Sequence, residues 1–599
     1  MLKALYDYAR RMNLTLPAGY AEKVIKAFVC LTGDGRFVGV RMDEENLFRC
    51  PDIGSLANGT DKSNLLAEKY SVIFPTKPTP KSRFFREGMK DLGKTEPLAG
   101  ICWKALEDPQ CCADIAAALE QHKVKPSDRI SFLVENTYLV ECHTVEIWWQ
   151  DYRRQFQKSV KEENLTRCLI TGEPAVPMAT VPKTTGLAVV GGHSSGDALI
   201  CFDKSAFCSY GLKKSANAPV SEDAFAQVKV ALDTLLKDAP SLAGMKFVHW
   251  YDKPLSKPSM DPLTPVFGDL LSEEDAAEDE ETEVLTLNDD KFAVIQARRD
   301  ADRLVESVKS GQAVTDLPNR YFILLLSGAG GRVMVRQFAQ GSYEELKANL
   351  SRWYADLELI NRYGNRILKP VKLSARLIRL LKRQNNNKKV FDRLRDELPG
   401  LTPSVFHAIV HGTQLPDSIA VRALQNIRSQ MLTEDPDGKD LMVPDSISCQ
   451  WLKVWLIRNQ KEAFLMPEYN PNHPSPAYQI GAMVAVYAAL QQRAYPDVNV
   501  TVVQRFFASA QQTPALVLGR LAKMSTHHLA KLENPVARVY ESQLADVSAR
   551  IGDRIPTVLA LPEQSLFALG YYQMTATMNQ KRKERFAKNT ASSDKNKED

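Results

Sequence analysis

The sharpest chemical motif in the chain is Gly192-His193-Ser194-Ser195-Gly196, which matches the G-x-S-x-G pattern of serine hydrolases. In those enzymes the pattern forms a strained turn from a strand into a helix and exposes the serine as a nucleophile. Leu187–Val190 predicts the preceding strand, but Asp197–Phe202 predicts a second strand where the helix is required. We therefore expect a glycine-rich hairpin whose backbone can approach a ligand closely. A hydrolase that uses Ser194 is the alternative.

The other candidate chemical groups do not complete a site. Gly328–Arg332 is glycine-rich but lacks the Gly-Lys-Ser/Thr ending of a phosphate-cradling loop. Cys111 and Cys112 are adjacent instead of being spaced as zinc ligands, and on a helix His527 and His528 would point about 100° apart. The sequence predicts a non-catalytic chain with no metal and no cofactor.

A run of positive charge is the strongest sign of a binding function. Between Arg362 and Arg395 the chain has twelve Lys or Arg residues and one acid, Asp392. Because an inert surface normally mixes both signs of charge, this basic stripe indicates contact with nucleic-acid phosphates. The alternative is a solvated helix face in a scaffold protein that binds no nucleic acid. The residues predicted to contact the backbone are Lys372, Arg376, Arg379, Lys382 and Arg383, together with Arg332 and Arg336 on a separate predicted strand.

The bulk composition is that of a globular protein with large cores. Of 599 residues, 44% are apolar and 25% charged, and the formal net charge of +5 is too small to identify a partner by itself. The apolar runs are too short to cross a bilayer, and the N-terminus lacks the uninterrupted apolar core of a secretory signal. We expect a cytoplasmic protein whose ten cysteines stay reduced.

The elements that must position these residues change character along the chain. Short strands and helices alternate irregularly over residues 1–270, and helical patterns dominate from Tyr343 onward. The fold class predicted is an α+β N-terminal region followed by a mainly α-helical C-terminal half that ends in a helical bundle. The predicted strands are Val24–Leu31, Arg36–Val40, Ile130–Val134, Leu187–Val190, Leu199–Phe202, Lys246–Trp250, Arg320–Leu326 and Arg332–Phe338, and the clearest predicted helices are Ala113–His122 and Ser221–Lys237.

Four parts are predicted from these patterns. Ser272–Glu283 has eight acids in twelve residues, which indicates a solvated linker over 271–290. It separates an N-terminal α+β domain, 1–270, from a middle domain, 291–482, that carries the basic stripe. A basic helical bundle, 483–599, completes the chain.

Several segments together resemble a known family. They are, in chain order, Met1–Leu5, Leu16–Tyr20, Cys168–Glu173, Gly192–Gly196, Phe207–Gly211, Asn217–Glu222, Tyr321–Leu326, Arg332–Phe338, Gln504–Pro514, His527–Glu533 and Glu563–Gln573. Their order and spacing resemble the large-subunit family of the type I-C CRISPR surveillance complex, Cascade. His193 stands where that family's pattern has Gln, and Gly328–Gly331 is richer in glycine than the usual loop.

The resemblance implies a function without catalysis. Subunits of this family join a guide-RNA complex of repeated backbone subunits and an RNA-processing subunit. They recognise a short motif that flanks the target in duplex DNA, help to open the duplex, hold the displaced strand and recruit a helicase-nuclease. Phage anti-CRISPR inhibitors are a further class of partner that the resemblance implies.

The resemblance also suggests positions for some of these roles. Lys62, Ser63 and Asn64 form one candidate cluster for reading the flanking motif, with a plain surface turn as the alternative. Ser194, Ser195 and Asn217 form a second cluster. A separate small subunit translated from the same gene is implied as well, with Met483 as the candidate internal start and Met466 as the alternative.

Overall fold

The structure is a computed structural model of the chain. It describes all residues except 15, 44–46, 55–60, 156–164, 179, 203, 213, 256–260, 264–265, 267–318, 365, 369–372, 383–389, 433–441, 463–464, 497, 499 and 596–599. The predicted acidic linker, 271–290, lies outside the described residues. Two compact units emerge: Met1–Ala239 with Leu326–Val335, and Pro240–Leu325 with Arg336–Asp599.

The strands, in chain order, are β1 (Tyr20–Val24), β2 (Ala27–Leu31), β3 (Phe37–Met42), β4 (Leu47–Pro51), β5 (Glu68–Lys69), β6 (Arg129–Val134), β7 (Thr137–Tyr138), β8 (Thr166–Arg167), β9 (Pro174–Ala175), β10 (Ser241–Leu242), β11 (Met245–Tyr251), β12 (Arg320–Ala329) and β13 (Arg332–Ser342). The helices are α1 (Leu2–Arg11), α2 (Tyr70–Ile73), α3 (Pro80–Leu92), α4 (Pro97–Glu107), α5 (Pro109–Gln121), α6 (His143–Arg154), α7 (Glu222–Lys237), α8 (Tyr343–Leu357), α9 (Leu373–Ile378), α10 (Val390–Glu397), α11 (Leu401–His411), α12 (Asp417–Leu432), α13 (Ser446–Arg458), α14 (Pro476–Ala494), α15 (Val502–Gln512), α16 (Pro514–Leu529), α17 (Asn534–Ile551) and α18 (Leu561–Lys595).

The first unit is built around a mixed five-stranded sheet of order β3-β2-β6-β5, with β7 paired to β6. The central strands β2 and β6 run parallel, and their residues are almost all buried, as expected of strands covered on both faces. A parallel connection needs a long crossover, and α2 to α5 lie between these two strands in the chain. The sequence Thr32-Gly33-Asp34-Gly35 predicts a tight turn, because glycine tolerates positive φ, and the hairpin that it predicts is confirmed, since β2 pairs antiparallel with β3.

Two strand predictions in the first unit are wrong, and a third is only half right. Leu187–Val190 contains a short 3-10 helix because the flanking glycines, Gly186 and Gly191, adopt left-handed backbone angles that end any strand. Leu199–Phe202 forms no strand. Val24–Leu31 is broken, because its first residue ends β1, which pairs with β4 in a separate sheet, before β2 begins.

The second unit combines a four-stranded sheet, of order β10-β11-β12-β13, with helices α8 to α18. Strands β12 and β13 form a hairpin around Gly330 and Gly331, both with positive φ, and the tip of this hairpin belongs to the first unit. The predicted fold class is confirmed. No helix in the described part of the chain is long and apolar enough to cross a membrane.

Helices α14 and α18 form the centre of the second unit's core. A Cβ on Gly481 would lie 2.0 Å from the carbonyl oxygen of Phe567, and one on Gly570 would lie 2.0 Å from that of Tyr478, so the two glycines let the helix backbones touch. The predicted boundary at Met483 falls inside α14, where residues on both sides of it belong to one hydrophobic core. The four-part division otherwise stays a prediction.

Candidate nucleic-acid interfaces

Two glycine-rich segments that are far apart in the sequence meet in the first unit. A Cβ on Gly328 would lie 2.2 Å from the Cα of Gly192, and one on Gly191 would lie 2.8 Å from the carbonyl oxygen of Gly328. Only glycine permits this approach of the two backbones. We call the residues Gly191–Ala198 together with Gly328–Arg332 the glycine junction.

Backbone hydrogen bonds join the two segments of the glycine junction. Ala198 N donates to Gly331 O at 2.8 Å, and Val333 N donates to Ala198 O at 3.0 Å. The sequence shows each segment as a separate glycine-rich loop, and their pairing requires the fold to place residue 198 beside residue 332.

A buried carboxylate holds the first of these segments in shape. Asp197 is fully buried, and its carboxylate accepts the N–H of His193 at 3.1 to 3.2 Å. Its own backbone pairs with Thr184 through two hydrogen bonds. Because a buried carboxylate must be matched by donors, Asp197 favours one conformation of the turn. The turn therefore presents Ser194 and Ser195 on the surface, where both are exposed.

The turn around Ser194 differs from the nucleophile turn of a hydrolase. A 3-10 helix precedes it in place of a strand, and after Gly196 the chain makes isolated bridges at Asp197 and Ala198 in place of a helix. The strand-to-helix strain that exposes a catalytic serine is therefore not built here. The exposed hydroxyls, with the nearby exposed Arg332, can instead donate hydrogen bonds to a ligand that approaches the glycine junction.

The first predicted cluster of motif-reading residues is used mainly for structure. Ser63 is 3% exposed and its hydroxyl donates to the carbonyl of Lys81, so the prediction that it reads bases is wrong. The side-chain carbonyl of Asn64 accepts the N–H of Ile53, and its backbone N–H and side-chain amide both donate to the carboxylate of Glu68. These three hydrogen bonds hold Asn64 in the turn. Lys62 is half-buried and stays a prediction.

Asn217 has a similar bracing role. Its side-chain carbonyl accepts the N–H of Ser209 at 2.8 Å, and its amide donates to the carbonyl of Leu212 at 3.1 Å. Both ends of the amide hold a loop of its own chain, so a direct contact with bases is not supported. The residue that sequence reasoning grouped with Ser194 and Ser195 instead fixes the shape of a neighbouring loop.

The basic stripe of the second unit does not form one solvent-facing surface. Arg376 is 2% exposed, Nη1 donates to Gln450 Oε1 at 3.0 Å, and burial lowers the pKa of its guanidinium to about 10. The indole N–H of Trp451 donates to the backbone carbonyl oxygen of Arg376. The prediction that Arg376 contacts phosphate is wrong, because the helix face that carries it packs into the core.

Other residues of the stripe lie nearer to solvent. Arg379 and Lys382 line a cavity of about 490 Å³ together with Arg393, and Arg379 lies 3.9 Å from the carboxylate of Asp445. Farther along, Arg395 forms ion pairs with neighbouring acids of its own helix. The predicted residues Lys372 and Arg383 lie outside the described residues. A role of Arg379 and Lys382 in binding phosphate stays a prediction.

The two arginines of β13 are both exposed, as their predicted role requires. Arg332 places its guanidinium carbon 5.3 Å from the centre of the Phe207 ring. Arg336 lines a cavity of about 530 Å³ in the second unit, together with His407 and Thr413. Their contact with a nucleic-acid backbone stays a prediction.

A cationic surface that the sequence did not reveal lies at the start of the stripe. Tyr363 has the Nζ of Lys583 4.5 Å from its ring centre and the guanidinium carbon of Arg362 4.9 Å from it. Arg362 also donates to the Tyr363 hydroxyl, and the amide of Asn579 donates to the carbonyl of Arg362. The exposed basic run Lys581–Arg585 of α18 thus packs beside the exposed Arg362.

The same surface continues around a second tyrosine. Burial raises the pKa of Tyr540, and the nearby charges of Arg493, Arg582 and Arg585 oppose that rise. We call the exposed residues Arg362, Arg493 and Lys581–Arg585 the cationic patch; Glu584 is the one acid within them. Like charges held this close repel each other, and a polyanion relieves that repulsion.

The comparison with family models identifies the chain. Residues 2–578 of the 599 match the family described as CRISPR-associated protein (Cas_Csd1). The comparison with curated proteins found no match. Since the family model covers nearly the whole chain, the protein belongs to the Csd1 family of CRISPR-associated proteins, consistent with the large subunit of a type I-C Cascade complex.

Proposed function

We propose that this protein binds invader DNA, without cutting it, as the large subunit of a type I-C Cascade complex. The observation that carries the proposal is the cationic patch, where Lys583 and Arg362 lie against one tyrosine ring in a protein of a CRISPR-associated family. Phosphates are the ligands that such clustered, exposed cations attract most strongly. The cytoplasmic location of the protein stays a prediction from the sequence.

The division of labour follows from the energetics of strand exchange. Base pairing with the guide RNA reads the target sequence, so the protein needs to read only the flanking motif and the shape of the duplex. Exchange of one duplex for another is nearly balanced in free energy, and contacts between protein and backbone shift that balance. The cationic patch is suited to this role, as a surface that holds the displaced strand and helps the duplex to open.

The glycine junction is the proposed place where the flanking motif is recognised. Exposed hydroxyls of Ser194 and Ser195 can donate to or accept from base edges, and the small size of glycine lets a duplex approach the backbone. The exposed Arg332 adds a cation beside them. Substitution of Ser194 or Ser195 should relax the preference at one motif position at a cost of about 1–3 kcal/mol in binding free energy.

The proposed partners follow from the same role. They are a guide RNA with repeated backbone subunits, the RNA-processing subunit, a small subunit from the same gene, the target duplex and a helicase-nuclease recruited after binding. Phage inhibitors that mimic or block the DNA would act on the same surfaces.

A hydrolase that uses Ser194 is the competing function. A serine-reactive fluorophosphonate probe tests it directly, with Ser194→Ala as the control. We expect no labelling that depends on Ser194, because the turn lacks the geometry of a nucleophile. Labelling that disappears only in Ser194→Ala would contradict the non-catalytic proposal.

Co-purification with RNA tests the main proposal. When expressed with its neighbouring genes, the tagged chain should retain a guide RNA and several copies of a backbone subunit. A matched preparation in which Arg362 and Lys583 are changed to Glu should keep these partners and lose affinity for target DNA. Isolation of the chain without RNA and without affinity for DNA would favour a scaffold that binds no nucleic acid. DNA binding unchanged in the variant would show that the cationic patch is not the DNA contact.

A further inference from the structure

One aromatic side chain of the first unit stands fully in solvent. Tyr210 is 100% exposed and its backbone has φ +52°, a left-handed conformation that costs free energy for any residue with a Cβ. Gly211 follows with φ +71°. Two consecutive left-handed residues turn the chain sharply and project the tyrosine ring away from the protein.

The loop that carries Tyr210 is braced rather than loose. We call Lys204–Leu212 the aromatic loop. Asn217 holds it at two points, Ser209 and Leu212, through both ends of its amide, and a 3-10 turn at Ser205–Phe207 closes its start. Because these bonds hold the backbone of the loop, less backbone entropy is lost when a ligand binds the exposed ring.

A second ring of the loop is paired with a cation. Phe207 is 47% exposed, and the guanidinium of Arg332 lies over it at 5.3 Å. Arg332 belongs to the glycine junction, so the aromatic loop and the junction share one edge of the first unit. The Phe207 ring, the Arg332 guanidinium and the exposed Tyr210 ring three residues farther along the loop are flat groups of the kinds on which nucleobases stack.

We propose that the aromatic loop stacks on unpaired bases of DNA at the point where the duplex is opened beside the glycine junction. Tyr210 supplies one stacking face, and the Phe207–Arg332 pair supplies a second with a positive charge for the backbone. This inference rests on the proposed function and adds to it the side chains that would contact the unpaired bases beside the glycine junction.

The surroundings favour a nucleic acid over a protein partner. The loop exposes the apolar Ala206 and Leu212 as well as the polar or basic Lys204, Ser205 and Ser209, so polar and basic residues interrupt its exposed apolar side chains. Protein interfaces bury a continuous apolar centre inside a polar rim. Single-strand binding sites combine isolated aromatic rings with cations, which is the arrangement found here.

The test compares paired and unpaired DNA with the full-length chain. Binding is measured by fluorescence anisotropy to a duplex with a short bubble next to the flanking motif, to the same duplex fully paired, and to the bubble with abasic sites. The variants are Tyr210→Ala and Phe207→Leu. Tyr210→Phe keeps the ring, and Leu212→Ala trims an exposed apolar neighbour in the same loop as a matched control.

Stacking predicts a specific pattern. Tyr210→Ala should weaken binding to the bubble by between about 5-fold and 150-fold and leave the fully paired duplex unchanged. Tyr210→Phe and Leu212→Ala should stay within about 2-fold of the wild type. On abasic DNA the wild type and Tyr210→Ala should bind alike, and the dependence on salt should not change, since every phosphate keeps its cationic partner.

The outcomes separate this inference from the proposed function. A wild type that binds none of these DNAs contradicts both. Equal binding of the wild type and Tyr210→Ala to the bubble, or equal losses on bubble, paired and abasic DNA, overturns the stacking role alone. Normal binding to the bubble with loss of a co-purifying protein would assign the loop to a protein partner instead and would also overturn it.

Discussion

Lys583 places its Nζ 4.5 Å from the centre of the Tyr363 ring, although 583 − 363 = 220 residues separate the two in the chain. The contact joins the basic end of α18 to the start of the basic stripe. Two segments that are far apart in the sequence thus contribute cations around one tyrosine ring. The cationic patch is therefore a product of the fold and gives the proposed DNA contact a defined location.

Reversal of charge in the cationic patch should weaken DNA binding in a way that depends on salt. For Arg362→Glu with Lys583→Glu, the affinity should fall for all sequences alike. The slope of log K against log salt should shrink by about 0.9 for each phosphate that the variant no longer neutralises. Arg154→Glu, at an exposed arginine of α6, is the matched control. An unchanged slope in the double variant would exclude the patch from the interface.

Arg376 should affect stability and leave the salt dependence of DNA binding alone. Its side chain is buried and holds Gln450, so Arg376→Ala leaves a cavity and an unmatched amide. We expect a loss of about 2–5 kcal/mol in the free energy of unfolding, measured by chemical denaturation. At a temperature where the variant is folded, the salt slope should equal that of the wild type. A folded variant with a smaller slope of log K against log salt would show that Arg376 contacts the DNA after all.

The glycine junction should not tolerate a methyl group at Gly328. In Gly328→Ala the new Cβ would overlap the backbone of Gly192, so the two loops must separate. We expect a loss of about 1–3 kcal/mol in the free energy of unfolding, with weaker discrimination of the flanking motif. Gly39→Ala is the control, because its Cβ would meet no atom within 4 Å. Similar behaviour of the two variants would show that the close approach carries no function.

Cys168 should make stability depend on pH. Burial raises the pKa of this thiol, but hydrogen bonds from the backbone of Ser221 and of the turn after Cys168 outweigh burial and lower the pKa from 9.0 to about 7. The folded state therefore favours the thiolate. The contribution of the thiolate to the free energy of unfolding is complete above pH 9, which is the pKa of the thiol in the unfolded chain. This contribution is lost as the pH falls through about 7, the pKa in the folded protein.

The measurement for Cys168 is the free energy of unfolding between pH 6 and pH 9.5. The difference between the wild type and Cys168→Ser, which does not titrate in this range, should grow by about 2 kcal/mol as the pH rises from 7 to 9. A constant difference would show that the thiol is not ionised in the folded protein.

The small subunit predicted from the same gene should begin at Met466. Met483 is 7% exposed inside α14, and a start there would remove Tyr478, whose hydroxyl donates to Gln573 of α18 at 2.6 Å. Met466 is 39% exposed and precedes the whole helix. Mass spectrometry of protein from the native gene should show a product that starts at 466. A product that starts at 483 would show that the first turns of α14 are dispensable.

Local signals in the sequence predicted local structure well. Turn glycines at Thr32–Gly35 specified a hairpin, and Ser221 caps α7 by accepting the N–H of Ala224, because both depend on neighbours in the chain. The strand prediction at Leu187–Val190 is wrong because four apolar residues fit a short helix as well as a strand. The left-handed glycines on either side favour the helix.

The candidate sites depended on contacts between distant residues. Spacing placed Arg376 on a basic face, but the partners that bury it, Gln450 and Trp451, lie more than seventy positions away. The contact between Gly192 and Gly328 cannot be predicted from the sequence either, although both loops are rich in glycine there. Composition reveals which residues can bind a phosphate, and only the fold decides which of them reach solvent.

The hairpin of β12 and β13 has a practical consequence for how the protein can be divided. Its tip, Leu326–Val335, belongs to the first unit although the chain has long left that unit at Ala239. A fragment that stops at residue 239 would leave Ala198 without its backbone partners and Phe207 without the guanidinium above it. An independent module of the first unit therefore has to contain residues 326–335 as well as residues 1–239.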